Sequence, residues 1–237
     1  MISFLQAAGP EGMSLPDSKR TLLLVVSSLL LLAQALPLIN TRWIEDESWY
    51  SASADSLARH GELRMRIFAE DHMQGRVDTR LPLTSMIMAG FFKIFGTSLY
   101  TAKLPFLLSA LAGILLTYLL GCELGGPLLG ALGALFVATD NLYFLAARTA
   151  RPEAIVMALD ALAVLLFLIS QRRGSTAYAL ASGLVTGLAT LAHPAGLAPA
   201  FTAGILACIE FRGSVLFRAR TWAFAAGLVL PAIPFVL

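Results

Sequence analysis

Apolar residues along this chain come in long blocks separated by short clusters of charge. That spacing predicts an all-α protein, a polytopic bundle of transmembrane helices. The first block, Thr21–Ile39, follows Lys19-Arg20 and is about 19 residues long, enough at ~1.5 Å per residue to cross the hydrocarbon core. Residues 40–82 are polar. Within them, Asp46 to His60 suits a helix lying at the membrane surface: Tyr50, Ala54 and Leu57 recur at helical spacing, Asp46 falls on the same side, and Gly61 is the expected stop. Residues 62–80 carry Arg64, Arg66, Glu70, Asp71, His72, Arg76, Asp78 and Arg80 and read as a solvated loop. Pro82–Phe95 is apolar nearly all round and closed by Gly96; at about 14 residues, ~21 Å as a helix against a core of ~30 Å, it is too short to span.

Longer runs follow. Spans are expected at Leu104–Leu120, at Leu128–Ala147 after the turn Gly125-Gly126-Pro127, and at Ala154–Ser170, which ends on Arg172-Arg173-Gly174. Residues 177–209 exceed one helix and break at His193-Pro194-Ala195-Gly196, predicting a hairpin of two spans. A last run from Trp222 reaches the end of the chain. Tyr100 and Trp222 read as interfacial anchors and Lys93 as a surface charge.

Composition agrees with a membrane protein. Mean hydropathy is +0.76, 57% of residues are hydrophobic and 14% are charged. A net charge of +2 is too small to argue for nucleic acid, and none is expected as a partner. Cys122 and Cys208 lie far apart without metal-ligand spacing and read as small core residues. Residues 1–18 read as a disordered cytoplasmic tail and 19–237 as one transmembrane domain with a first extracytoplasmic loop over 40–103. Thr21–Ile39, with Ala33-Gln34-Ala35, is similar to a signal peptide, but its length and the spans that follow favour an uncleaved anchor. Walker, His-Glu-x-x-His and Cys-x-x-Cys patterns are missing, which argues against ATP use and a structural zinc site.

Charge then orients the chain. With Lys19 and Arg20 holding the N-terminus in the cytoplasm and 82–95 not crossing, Arg172-Arg173 and Arg212, Arg218 and Arg220 all fall in cytoplasmic loops. If 82–95 crossed, every one of them would be stranded outside. The first topology gathers Asp46, Glu47, Arg80, Arg148, Arg151, Glu153 and His193 on the extracytoplasmic face of the cytoplasmic membrane. Trp43 and Trp49 flank the acids there, at the depth indoles favour.

No ATP or nucleotide sugar is present on that face, so an enzyme there draws on a substrate that is already activated, such as a sugar on a polyprenyl phosphate. Transfer needs a carboxylate for the acceptor hydroxyl and cations for the departing phosphate, and this cluster has both. Arginine's planar fork of donors suits the second task.

The same residues carry a resemblance. Asp46-Glu47 with Tyr50 just after the first span, and Arg80-Leu81-Pro82-Leu83 opening a short apolar helix, resemble the GT-C membrane glycosyltransferases. The branch most similar holds the protein O-mannosyltransferases and the aminoarabinose transferases of lipid A. Ala102-Lys103-Leu104-Pro105 is similar to that family's Ala-Arg-Leu-Pro, and Leu145–Glu153 to its Ala-Arg-x-Ala-Arg-Pro-acid segment; the likeness runs from about residue 20 to 200. Leu81 departs from the family's Pro-Pro-Leu.

The resemblance implies a hexosyl or pentosyl transferase with a lipid-linked donor. Asp46 would be the catalytic carboxylate and Glu47 its neighbour in the motif. Arg80, Arg148, Arg151 and His193 would bind donor phosphate, and Glu153 and Tyr50 would line the donor and acceptor pocket. A divalent cation, Mg or Mn, at Asp46 is compatible with this but not required. The partners implied are a polyprenyl-phosphate sugar, membrane lipid, and an acceptor glycan, lipid or protein. Family members usually continue with further spans, whereas this chain stops inside one at Phe235-Val236-Leu237, as a fragment, a truncated product or half of a split enzyme would.

Simpler readings stand beside these. Glu153 after Pro152 complements a helix N-terminus, Arg148 and Arg151, three apart, share a helix face if both are helical and snorkel to head groups, and His193 beside proline is a turn residue. Asp140 and Asp160 lie inside spans and have no assigned role, although buried acids fit a transporter or lipid flippase. That is the competing function, with an inactive lipid-binding fragment as the third.

Overall fold

The computed structural model describes residues 17–36, 47–64, 82–211 and 218–236. Asp46, Arg80 and most of the expected 62–80 loop lie outside them. The described part is helical, with no β-strand. Its helices are α1 (Asp17–Ala35), α2 (Glu47–His60), α3 (Pro82–Phe95), α4 (Leu99–Gly125), α5 (Pro127–Thr139), α6 (Asn141–Arg148), α7 (Glu153–Arg173), α8 (Thr176–Ala192), α9 (Ala198–Phe211), α10 (Ala219–Val229) and a short α11 (Ile233–Val236). α4 and α7 are long and apolar enough to cross a membrane, and α5 with α6 counts as a third span if the bent pair is one. The chain is a multi-pass membrane protein.

The long helices stand in a row: α1 packs on α5, α5 on α4, α4 on α7, α7 on α8 and α8 on α10, while α2 and α3 pair across one end. Glycine permits the closest of these approaches. A Cβ at Gly183 would lie 2.1 Å from the Phe224 carbonyl oxygen, and one at Gly227 would lie 2.3 Å from that of Leu180, so α8 and α10 meet backbone to backbone. Between helices in lipid, where no hydrophobic effect drives association, such packing supplies the attraction. Outward-facing Phe136, Leu142 and Phe201 are each at least 70% exposed, as lipid-facing residues are, whereas Ser182 is buried and donates to the Ala163 carbonyl across the α7–α8 contact.

Both ends of α3 face the same end of the bundle. Thr84 Oγ1 in its first turn donates to the Ala192 carbonyl at 3.3 Å. Just past its last turn, Thr97 donates to Asp55 on α2 at 2.8 Å. Gly96, at φ 81°, reverses the chain between them. At the opposite end Arg172 pairs with Glu123 at 2.6 Å, and Arg220 donates to the Ser170 carbonyl at 3.2 Å. Arg172 and Arg220, two of the arginines that oriented the sequence, therefore share one end, and the short helix begins and finishes at the other.

Several boundaries differ from those read in the sequence. α4 starts at Leu99 and not Leu104, because the Ser98 hydroxyl accepts from Thr101 N at 3.1 Å and Pro105 lies early enough in the helix to be carried. The single span expected over Leu128–Ala147 is two helices bent by 66°. Asp140 causes this: it leaves the helical conformation at ψ 131° and its carboxylate caps α6, accepting from Tyr143 N at 2.8 Å. The break at His193-Pro194 is where the pattern put it, but α9 leans mainly on α7 instead of folding back along α8. Cys208 is exposed and not a core residue.

Candidate functional site

The site grows from the first residue of α2. Glu47 is fully buried, with the acid at the helix N-terminus where the dipole favours it. One carboxylate oxygen accepts from Ala150 N at 2.6 Å, and the other lies 3.4 Å from Lys103 Nζ, itself fully buried. The start of α2, the second turn of α4 and the turn before α7 are thereby joined, the first and last across 103 positions of sequence. Removing one partner of such a pair costs about 3–5 kcal/mol, since it leaves the other charge buried and unmatched.

The Ala150 turn carries the charged segment. α6 ends at Arg148, Thr149 hydrogen-bonds back to the Leu145 carbonyl, and α7 starts at Glu153. Tyr143 sets the position of α6: its hydroxyl donates to the Ala110 carbonyl of α4 at 2.6 Å, in space that a side chain at Gly113 would fill. The Arg148 guanidinium stands over the Phe144 ring at 5.1 Å, and its Nε is buried with no hydrogen-bond partner among the described residues. Arg151 donates to Glu153 Oε1 at 2.6 Å, while Glu153 Oε2 is buried and unmatched. One buried donor and one buried acceptor thus stand open on either side of one turn. Such groups are rarely left so unless something binds them.

Arg148 and Arg151 do not share a helix face, because residues 149–152 are not helical and the spacing rule lapses there. Glu153 does occupy the first turn of α7. His193 ends α8, and its Nδ1 accepts from Ala195 N at 3.1 Å, beside the Ala192 carbonyl that holds α3. Tyr50 lies one turn after Glu47, packed against the core. Glu47 with the 148–153 segment is thus one connected group, and His193 belongs to the α3 side of the same end. Lys93 is exposed, as expected.

Sequence reasoning placed Lys103 in a motif but gave it no role. The signal was there: a lysine flanked by Ala102, Leu104 and Pro105 in an apolar helix has no solvent to reach and needs an acid partner. Among the described residues no cluster of three or more His, Cys, Asp or Glu could hold a metal ion.

Comparison with known proteins gives two matches. The profile of the dolichyl-phosphate-mannose-protein mannosyltransferase family matches residues 79–237. The crystal structure of ArnT from Cupriavidus metallidurans bound to undecaprenyl phosphate superposes with a TM-score of 0.73 at 16% sequence identity, over 94% of this chain. The chain spans 41% of that structure's length, and at this identity the likeness is one of fold. No curated protein matches the chain.

Proposed function

The chain belongs to the dolichyl-phosphate-mannose-protein mannosyltransferase family, and from that premise we propose that it is part or all of a membrane glycosyltransferase that takes a sugar from a polyprenyl phosphate. The acceptor hydroxyl attacks the anomeric carbon from the face opposite the phosphate, so configuration inverts. Asp46, the chain neighbour of Glu47, takes the hydroxyl proton as the new C–O bond forms. The bond from C1 to the phosphate oxygen breaks, and the polyprenyl phosphate leaves with the electron pair. Arg80, Arg148, Arg151 and His193 stabilise its growing charge, while Glu153 and Tyr50 border the acceptor. A divalent cation at Asp46 is compatible with this scheme but not needed for it. The site faces the extracytoplasmic side of the cytoplasmic membrane, and the N-terminus lies in the cytoplasm.

The contact between Glu47 and the Ala150 N–H is what chiefly supports this reading, because it joins the acidic opening of α2 to the turn that carries the arginines. The unmatched Arg148 Nε beside that turn is the kind of donor a phosphate oxygen would fill. The test is mass spectrometry of products when membranes holding the protein receive a panel of polyprenyl-phosphate sugars. Asp46→Asn is expected to lower transfer by ~10²–10⁴-fold with membrane insertion intact. Full turnover in that variant would remove Asp46 from the reaction. Uptake of substrate into vesicles, with no glycosyl product, would favour a transporter instead.

A further inference from the structure

Transfer chemistry gives Lys103 no task, yet Lys103 is fully buried opposite an equally buried glutamate. It sits in the second turn of α4, close to the positive end of the helix, where both the dipole and loss of water disfavour a cation. Glu47 offsets both. The elements that carry the pair bury small side chains: Ala54 on α2, Ala102 on α4, Ala147 at the end of α6 and Ala150 in the turn after it are all wholly buried. Small, smooth side chains of that kind do not fix how far neighbouring elements slide or rotate. An ion pair and a short N–H bond are directional and do fix it.

We propose that Glu47 and Lys103 form a positioning latch, which holds the opening of α2 and the Arg148–Glu153 segment at their working separation. For its effect on catalysis the inference rests on the glycosyl-transfer reading; the latch itself does not. Lys103 is a positioning residue, and Glu47 acts through its neighbours. Both Glu47 oxygens are already engaged and the side chain has no exposed surface, so the acceptor's proton does not pass to it.

The experiment uses the full chain with Cys122 and Cys208 replaced by serine and a reporter Thr149→Cys, since position 149 is only 1% exposed. Four variants are built on it: Lys103→Arg, Lys103→Met, Glu47→Gln, and Glu47→Gln combined with Lys103→Met. Maleimide labelling at position 149, melting temperature in detergent, and kcat and KM with the donor found above are measured for each. Lys103→Met and Glu47→Gln are each expected to expose the thiol and lower the melting temperature. In both, kcat is expected to fall by ~10²-fold, with KM nearly unchanged, because misplacement costs rate more than binding. Lys103→Arg keeps the charge and stays close to the parent.

The double variant is decisive. It removes both charges but keeps a side-chain oxygen for the Ala150 N–H, so protection at position 149, melting temperature and most of kcat should return together. A protected thiol in Lys103→Met would overturn the latch. Protection without transfer in the double variant would overturn the positioning role and make the Glu47 carboxylate itself reactive. If the parent makes no glycosyl product while the labelling pattern holds, the functional reading fails and the latch stands.

Discussion

At the scale of single residues, the charged side chains of this protein divide by what they touch. Arg172 donates to the Glu123 carboxylate and Arg220 to the Ser170 and Gln171 carbonyls, whereas Arg148 keeps a buried donor open. The two kinds should respond differently to removal. Arg148→Ala is expected to lower kcat/KM by ~10²–10³-fold, the loss typical of one donor facing developing charge. Arg148→Lys should restore only part of it, since an ammonium lacks the planar fork. Arg220→Ala should leave kcat/KM unchanged and cost about 1 kcal/mol of stability, as a lost hydrogen bond does. Steady-state kinetics beside thermal melts in detergent check all three. Equal kinetic losses at positions 148 and 220 would show that the open donor has no part in the reaction.

Among helices, contacts too fine for a hydropathy pattern decide the arrangement. Asp140 lies within a stretch whose hydropathy reads as one span, and the pattern gave it no role. In the fold it is a cap that bends the span by 66° and turns α6 toward α4, where Tyr143 fixes it and so places Arg148. The α8–α10 contact depends in the same way on missing side chains. Gly183→Ala would drive a methyl group into the Phe224 carbonyl and is expected to cost about 1–3 kcal/mol, the usual penalty of overpacking. Gly204→Ala on α9, where a Cβ meets nothing within 4 Å, serves as the control and should gain about 0.5–1 kcal/mol from helix propensity. Equal melting temperatures for the two variants would contradict the close approach.

For the whole molecule, the central claim is sidedness, and it is testable without any substrate. In the cysteine-free background, single cysteines at His60 and Ala195 should be labelled from the extracytoplasmic side, and those at Arg173 and Thr176 from the cytoplasmic side. All four positions are exposed, so access reports topology. Position 47 is a poor reporter because Glu47 has no exposed surface. If positions 60 and 173 share a side, α4 to α7 do not form the transmembrane row described above.

Much of this was legible in the chain. The apolar blocks gave the helices, Gly61 and Gly96 the stops of α2 and α3, and the length of Pro82–Phe95 the helix that stays at one end. Those properties are local: segment length, amphipathic spacing and the free φ of glycine act within a few turns. The ordered motifs likewise indicated the family from residues alone. What neither length nor motif supplied was which buried groups meet. Glu47 reaches Ala150 and Lys103 only because α2, α4 and the turn before α7 converge, and a pairing across 103 positions leaves no periodic trace. Burial decided the rest: it enclosed Glu47, matched Lys103 and left the Arg148 donor open, because solvent exclusion belongs to the packed bundle and not to any one segment of it.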